Sequence, residues 1–233
     1  LGRDAIVVPA HVAPADLADF FNVARRLPNV DGIIVTVPHK FAAARLADGL
    51  TERARSIGAA NVVRRDAKGG WFGDMCDGEG YVAGLRREGL EPRGRRALLV
   101  GAGGAGSAIA HALVDAGVAA LALHDADTDR RETLAGKLRA YGPVLPTQGS
   151  GDASAFDLVI NATPMGMRAD DPLPVDVKTL RPGTFVGCVV TQPAVPPLIA
   201  QARALALPTM TGAGMFAAVL ERMVRFYTEP RGA

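Results

Sequence analysis

Two periods of apolar residues alternate along the first third of this chain. Strand-length runs, "AIVVPA" (5–10), "GIIVTVP" (32–38), "NVVRRD" (61–66) and "WFGDM" (71–75), are separated by stretches in which apolar positions return every three or four residues, "PADLADFFNVARRL" (14–27) and "KFAAARLADGLTERARSIG" (40–58). Pro14 and Asp16 mark one helix start, Pro28 and Gly58 mark helix ends, and "AKGG" (67–70) turns one strand into the next. A helical stretch from Tyr81, "YVAGLRREGL", runs into the charged Pro/Gly linker "EPRGRR" (91–96), which reads as a domain boundary.

Beyond the linker the alternation is stricter. "RALLVGAGGAGSAIAHALVDAG" (96–117) predicts a buried strand, a glycine turn and a helix; "ALALHDAD" (120–127), "FDLVINATP" (156–164) and "GTFVGCVV" (183–190) predict further strands. "TDRRETLAGKLRAYG" (128–142) and "PPLIAQARALAL" (196–207) predict the helices between them, and "AGMFAAVLERMVRFYTE" (213–229) a last amphipathic helix. Strands alternating with helices imply right-handed crossovers and a parallel sheet. The expected fold class is therefore α/β with two domains.

Gly101, Gly103 and Gly106 form GxGxxG directly after the strand and directly before the helix. The first glycine makes the tight turn, the second lets backbone amides approach a pyrophosphate, and the third lets the helix pack close to the strand. Asp125, at the end of the next strand and 19 residues past Gly106, is the acidic residue expected on an adenosine ribose. The alternative is a glycine turn that only closes a βα unit. Because the run is Asp125-Ala126-Asp127, with no arginine in the next positions to welcome a 2′-phosphate, NAD is favoured over NADP.

Composition narrows the partners. The chain has 233 residues, 48% hydrophobic and 21% charged, which suits a soluble protein with a real core, and its formal net charge is only +2. Basic residues are scattered and aromatic residues make up 5%, so nucleic acid is not the expected partner. Two widely spaced cysteines, Cys76 and Cys188, suggest neither a zinc site nor a disulfide framework, consistent with a cytoplasmic location and no metal. No apolar run has the roughly 18 residues that span a bilayer, and no signal-peptide plan is present. The first residue is Leu1 rather than Met, leaving open an upstream segment.

Lys40 closes "VTVPHK" at the mouth of an otherwise apolar strand. A lysine beside a carboxylate and a nicotinamide can carry a proton, and Asp77 in "GDMCDGEGY" is the candidate carboxylate. The plain alternatives are a surface lysine, a turn aspartate before Gly78, and a packed or solvated His39.

Six blocks then fall in a telling order: "VTVPHK" (35–40), "SIGAANVV" (56–63), "GDMCDGEGY" (73–81), "GAGGAGSAIA" (101–110), "NATPMGM" (161–167) and "TGAGMF" (211–216). In order and spacing the chain resembles the shikimate dehydrogenase family, quinate dehydrogenases included, from about Val7 onward. The resemblance implies a substrate-binding and catalytic domain over 1–83 plus 212–233, a Rossmann domain over 84–211, and a cleft between them. It implies Lys40 and Asp77 as the catalytic pair beside the substrate hydroxyl, with Thr36, Asn61, Thr191 and Val219 at substrate positions. Cofactor contacts fall to Gly101, Ala102, Gly103, Gly104, Ala105, Gly106, Asp125, Asn161, Ala162, Thr163, Pro164, Met165 and Gly214. The implied activity is hydride transfer between a nicotinamide cofactor, with NADP the family default, and a ring carbon of a small cyclic hydroxy acid, in a monomer or homodimer.

The chain also departs from the family pattern. The asparagine usual before "VT" is Ile34, the NTD block is Met75-Cys76-Asp77, the tyrosine of a late strand is Thr191, and the glutamine of the last helix is Val219. The serine-rich N-terminal motif that holds the family's substrate carboxylate does not occur in this chain. Either an upstream strand and helix precede it or the carboxylate is held otherwise. These changes leave two rivals: a nucleotide-binding regulator that kept the fold, and a family member specific for an amino- or deoxy-analogue.

Overall fold

The computed structural model describes residues 5–146 and 149–228. They fall into two compact units, Leu1–Cys76 with Arg222–Ala233, and Asp77–Glu221.

The first unit is a four-stranded sheet in the order β1-β3-β4-β2, made of β1 (Gly32–Ile34), β3 (Val62–Arg65), β4 (Trp71–Asp74) and β2 (Gly49–Leu50). β3 runs antiparallel to both β1 and β4, and β2 lies parallel to β4. Helices α1 (Leu17–Arg25), α2 (Lys40–Leu46) and α3 (Glu52–Ile57) accompany it, and the core gathers around Phe21, Val63 and Trp71. Phe21 meets the Trp71 ring edge-on at 6.4 Å, and Trp71 Nε1 donates to the Phe21 carbonyl at 3.3 Å. Arg65 stacks on Trp71 and donates to the carbonyls of Ala24, Arg25, Leu27 and Val30, which satisfies the orphan groups at and beyond the end of α1.

Two expectations change here. "AIVVPA" forms no strand; Ile6, Val7 and Val8 are exposed, and no neighbouring strand among the described residues supplies the ladder that a strand requires. The single helix expected over 40–58 is broken into α2, β2 and α3. Asp48 takes the Trp71 N–H at 2.7 Å and an Arg25 guanidinium N–H at 2.7 Å, pulling the chain onto β4, and Thr51 restarts the helix by accepting from Ala54 N at 3.3 Å.

The second unit is a six-stranded parallel sheet ordered β10-β9-β8-β5-β6-β7: β5 (Arg96–Val100), β6 (Ala120–His124), β7 (Val144–Pro146), β8 (Leu158–Asn161), β9 (Phe185–Cys188) and β10 (Thr209–Met210). Helices α4 (Asp77–Arg87), α5 (Gly104–Asp115), α6 (Thr128–Leu138), α7 (Pro197–Ala204) and α8 (Gly212–Thr228) complete the elements. The chain runs outward from β5 through β6 to β7 and then crosses back to β8, so the strand order reverses between β5 and β8. Ligands of doubly wound sheets bind at such a reversal, beyond the carboxyl ends of the strands.

Helix α4 begins at Asp77, four residues before the helix expected from Tyr81. Glycines explain where the unit boundary falls: a Cβ on Gly78 would lie 2.1 Å from the Ala108 carbonyl of α5, and one on Gly80 would lie 2.3 Å from Val219 Cγ2 of α8. These contacts place α4 and the start of α8 in the compact unit of the parallel sheet. Glu229, the last residue of the expected final helix, lies outside the described residues. Among the described residues no helix is long and apolar enough to cross a membrane.

Candidate active site

The apolar residues of β5 carry the chain into Gly101, whose φ of 108° is open to glycine and strained for other residues. A Cβ there would press on the Ala162 backbone at 2.8 Å, and a Cβ on Gly106 would sit 1.9 Å from the Gly101 carbonyl. Gly103 is different: apart from its chain neighbours, no atom of the described residues lies within 4 Å of the position its Cβ would take. Two glycines of the motif thus close the turn, and the third leaves open space at the N-terminus of α5, where orphan N–H groups favour an anion. Ala102 is buried, and Gly103, Gly104 and Ala105 are half-buried.

A cavity of about 260 Å³ opens at this turn, lined by Gly101, Gly103, Asp125, Arg130, Thr163 and Met165 among others. Asp125 follows β6. Its Oδ2 accepts from Ala102 N at 2.6 Å and its Oδ1 from Asp127 N at 2.9 Å. Arg130, which sequence reasoning did not single out, brings Nη1 to 3.9 Å from Asp125 Oδ2 and Nη2 to 3.4 Å from Asp127 Oδ2. Its position one turn into α6 was a usable signal, since α6 starts beside the acidic run.

On the far side of the cavity the segment after β8 is folded around Asn161. That side chain is 1% exposed; its Oδ1 accepts from Thr163 N at 3.0 Å and Thr163 Oγ1 at 2.6 Å, and its Nδ2 donates to the Met165 carbonyl at 2.9 Å and Cys188 Sγ at 3.4 Å. Asn161 therefore shapes the loop that carries Ala162, Thr163, Pro164 and Met165, of which Pro164 is exposed and the others half-buried. Burial pushes the Cys188 thiol above its ordinary range. The buried Tyr81 hydroxyl, in the space over Gly187, has no hydrogen-bond partner among the described residues.

In the first unit, three motif segments meet at one end of the sheet. Ile34 pairs with Val62, Val35 N donates to the Asn61 carbonyl at 2.8 Å, Ala60 N donates to the Lys40 carbonyl at 2.9 Å, and Asn61 N donates to the Asp74 carbonyl at 3.0 Å. Asn61 is buried, and its Oδ1 accepts from Cys76 N at 2.8 Å. Lys40 is the half-buried first residue of α2, Thr36 is exposed, and His39 Nε2 lies 2.9 Å from the Val12 carbonyl. The buried Asp77 opens α4 in the other unit.

Sequence reasoning also missed Asp74. This carboxylate is 1% exposed and accepts from Thr51 Oγ1 at 2.5 Å, Met75 N at 2.7 Å, and both Nε (2.7 Å) and Nη2 of Arg53. The only hint was an acidic residue ending an otherwise apolar strand.

Other expected positions are less favourable. Thr191 is exposed after β9, and Gly214 lies in the first turn of α8 with its N–H 3.3 Å from Thr211 Oγ1. Val219 is 1% exposed and packed on Gly80. An apolar β-branched residue fits that helix contact, whereas a glutamine would bury an amide.

Comparison with known proteins places the sequence and the fold. A family model for the shikimate dehydrogenase substrate binding domain matches residues 1–63. The shikimate dehydrogenase (NADP(+)) of Citrifermentans bemidjiense is 40% identical over 237 residues, covering 98% of this chain and 81% of its own length. Among solved structures, quinate dehydrogenase from Corynebacterium glutamicum in complex with NAD superposes with a TM-score of 0.82 at 33% identity, covering 96% of this chain and 81% of that one. The ligand-free 5-ketofructose reductase of Gluconobacter sp. strain CHM43 gives 0.83 at 30% identity, covering 96% and 82%. With a relative 40% identical across 98% of its length, the chain belongs to the shikimate dehydrogenase family.

Proposed function

We propose that this protein is a nicotinamide-dependent dehydrogenase that interconverts a ring hydroxyl and ketone of shikimate, quinate or a close analogue. The observation that carries the reading is the turn at Gly101–Gly106: open space over Gly103, a helix N-terminus, and a carboxylate at the end of the adjacent strand fit a pyrophosphate and a ribose. When bound, the dinucleotide supplies the hydride acceptor or donor.

Lys40 would hold the substrate hydroxyl and take its proton as the hydride leaves, with Asp77 keeping the ammonium oriented. Asn61, with Oδ1 engaged by Cys76 N, would meet a substrate oxygen as a donor through Nδ2. Thr36 would line the same pocket. The asparagine frame of the 161–165 loop would hold Thr163 and Met165 against the cofactor.

NAD is the proposed preference. Asp125 and Asp127 would repel a 2′-phosphate, against the NADP(+) named for the curated relative and in line with the NAD of the quinate dehydrogenase complex. A second reading, a family member acting on another polyhydroxy ketone, is favoured by one observation: Ile34, where the resemblance expects an asparagine, is 42% exposed beside the segment Val35–Lys40.

The deciding experiment is a substrate panel of shikimate, quinate, a deoxy analogue and 5-ketofructose, each with NAD and NADP or their reduced forms, followed by nicotinamide absorbance. Turnover of a cyclic hydroxy acid supports the first reading. Turnover of 5-ketofructose alone supports the second, and no turnover with any of them defeats both.

A further inference from the structure

We infer that the pairing of half-exposed Arg53 with buried Asp74 is a positioning device for the proposed active site, acting through Asn61 and the 74–76 turn. The inference rests on the dehydrogenase reading above for its catalytic consequence, and on geometry for the rest.

A carboxylate this buried has to be neutralised and its lone pairs filled. Asp74 is: Arg53 grips both its oxygens, Thr51 Oγ1 donates at 2.5 Å and Met75 N at 2.7 Å. Thr51 and Arg53 stand at the start of α3, so one helix end supplies the hydroxyl and the guanidinium together. The Arg53 side chain keeps 39% of its surface exposed, so solvent screens the pair and it adds little stability; its distinctive effect is on geometry.

What it fixes is specific. The Met75 N bond to the side chain before it sets the bend after β4, Cys76 N is held on Asn61 Oδ1 at 2.8 Å, and Asn61 N returns to the Asp74 carbonyl at 3.0 Å. Residues 74–76 and Asn61 are thus bonded into one frame, and Asp77 is the next residue along the chain. The same frame reaches Lys40, whose carbonyl accepts from Ala60 N at 2.9 Å next to Asn61, and a displacement of roughly 1 Å in a reacting group can cost about 10²-fold in rate.

The test compares wild type with Asp74→Asn, which keeps the shape and the acceptor for Met75 N but removes the charge. Arg53→Lys keeps the charge but not the fork. Four quantities are read: kcat with the best acid of the panel, the dinucleotide Kd, the melting temperature, and the maleimide labelling rate of Cys76 and Cys188 mapped by mass spectrometry. Both cysteines are buried, so Cys188 is the internal control for general loosening. In Asp74→Asn we expect kcat to fall roughly 10- to 100-fold with the dinucleotide Kd within about twofold of wild type, and Cys76 to label faster while Cys188 stays protected. Arg53→Lys should fall between.

Three results overturn the proposal: wild-type kcat with Cys76 protected, a lower kcat with Cys76 still protected, or both cysteines labelling in step with a lower melting temperature. The last would make the pair a plain stabiliser. A wild-type protein that turns over no acid defeats the dehydrogenase reading separately, and the Cys76-against-Cys188 comparison still decides whether the pair holds the turn.

Discussion

The carboxylate of Asp125 is hydrogen-bonded through Oδ2 to the backbone N–H of Ala102, at 2.6 Å, across the mouth of the glycine turn. One side chain thereby fixes the turn and presents negative charge at the end of β6. Arg130 stands 3.9 Å away and is itself drawn toward Asp127, so a cation is at hand but partly neutralised.

Cofactor choice follows from that pair. The ratio of kcat/KM with NAD to that with NADP is expected to exceed one, to shrink in Asp125→Ala through lost repulsion, and to widen in Arg130→Ala through lost attraction. Steady-state kinetics with both dinucleotides checks this, and a wild-type preference for NADP sinks it.

The two kinds of glycine in the turn should separate in experiment. Gly106→Ala forces a methyl onto the Gly101 carbonyl at 1.9 Å and should lower both the melting temperature and dinucleotide affinity. Gly103→Ala meets no atom of the described residues within 4 Å beyond its chain neighbours and should weaken dinucleotide binding with little change in melting temperature. Calorimetric titration beside thermal melts distinguishes them, and equal destabilisation by both would contradict the assignment of Gly103 to the ligand.

Lys40→Ala is expected to lower kcat by roughly 10²- to 10⁴-fold, the usual size of a lost proton-transfer group, with dinucleotide affinity nearly unchanged. Asp77→Asn should resemble it, and the double variant should cost much less than the product of the singles because the pair acts as a unit. If dinucleotide affinity collapses together with kcat, Lys40 has a structural role instead.

Val219→Gln should destabilise rather than retune the substrate pocket. An amide pushed against Gly80 without a partner costs about 1 to 3 kcal/mol, a fall in melting temperature of roughly 2 to 12 °C for a chain of this size. Unchanged stability with an altered substrate preference would return Val219 to the substrate wall.

His111 gives a pH signature. Its Nε2 is buried without a hydrogen-bond partner among the described residues, and burial, with Asp115 opposing and Lys137 adding to it, holds the imidazole below the ordinary histidine range. The unfolded chain then binds the proton more readily, so stability is full above a pH of about 6.5 and is lost as pH falls through it. Denaturant midpoints measured from about pH 7.5 to 5 should fall, and should fall less steeply in His111→Leu.

Local physical chemistry in the sequence determined much of this protein. The apolar runs of β5, β6, β8 and β9, the GxGxxG between a strand and a helix, and Asp125 at the next strand end are all set by near neighbours, so the parallel sheet and its dinucleotide turn were legible before any coordinates. The block from Lys40 to Gly58 was not, because helix periodicity cannot register that Asp48 would be captured by Trp71, 23 residues away, and break the helix in two. Exposed Ile6–Val8 failed as a strand for the same reason, since a strand exists only with a partner. Only tertiary structure could bring Thr36–Lys40, Asn61 and Asp74–Cys76 to one sheet end, bury Asp74 under Arg53, and turn Val219 onto Gly80. Those outcomes depend on strand pairing and helix packing between residues distant in the chain, and neither composition nor spacing encodes which side chain will face which.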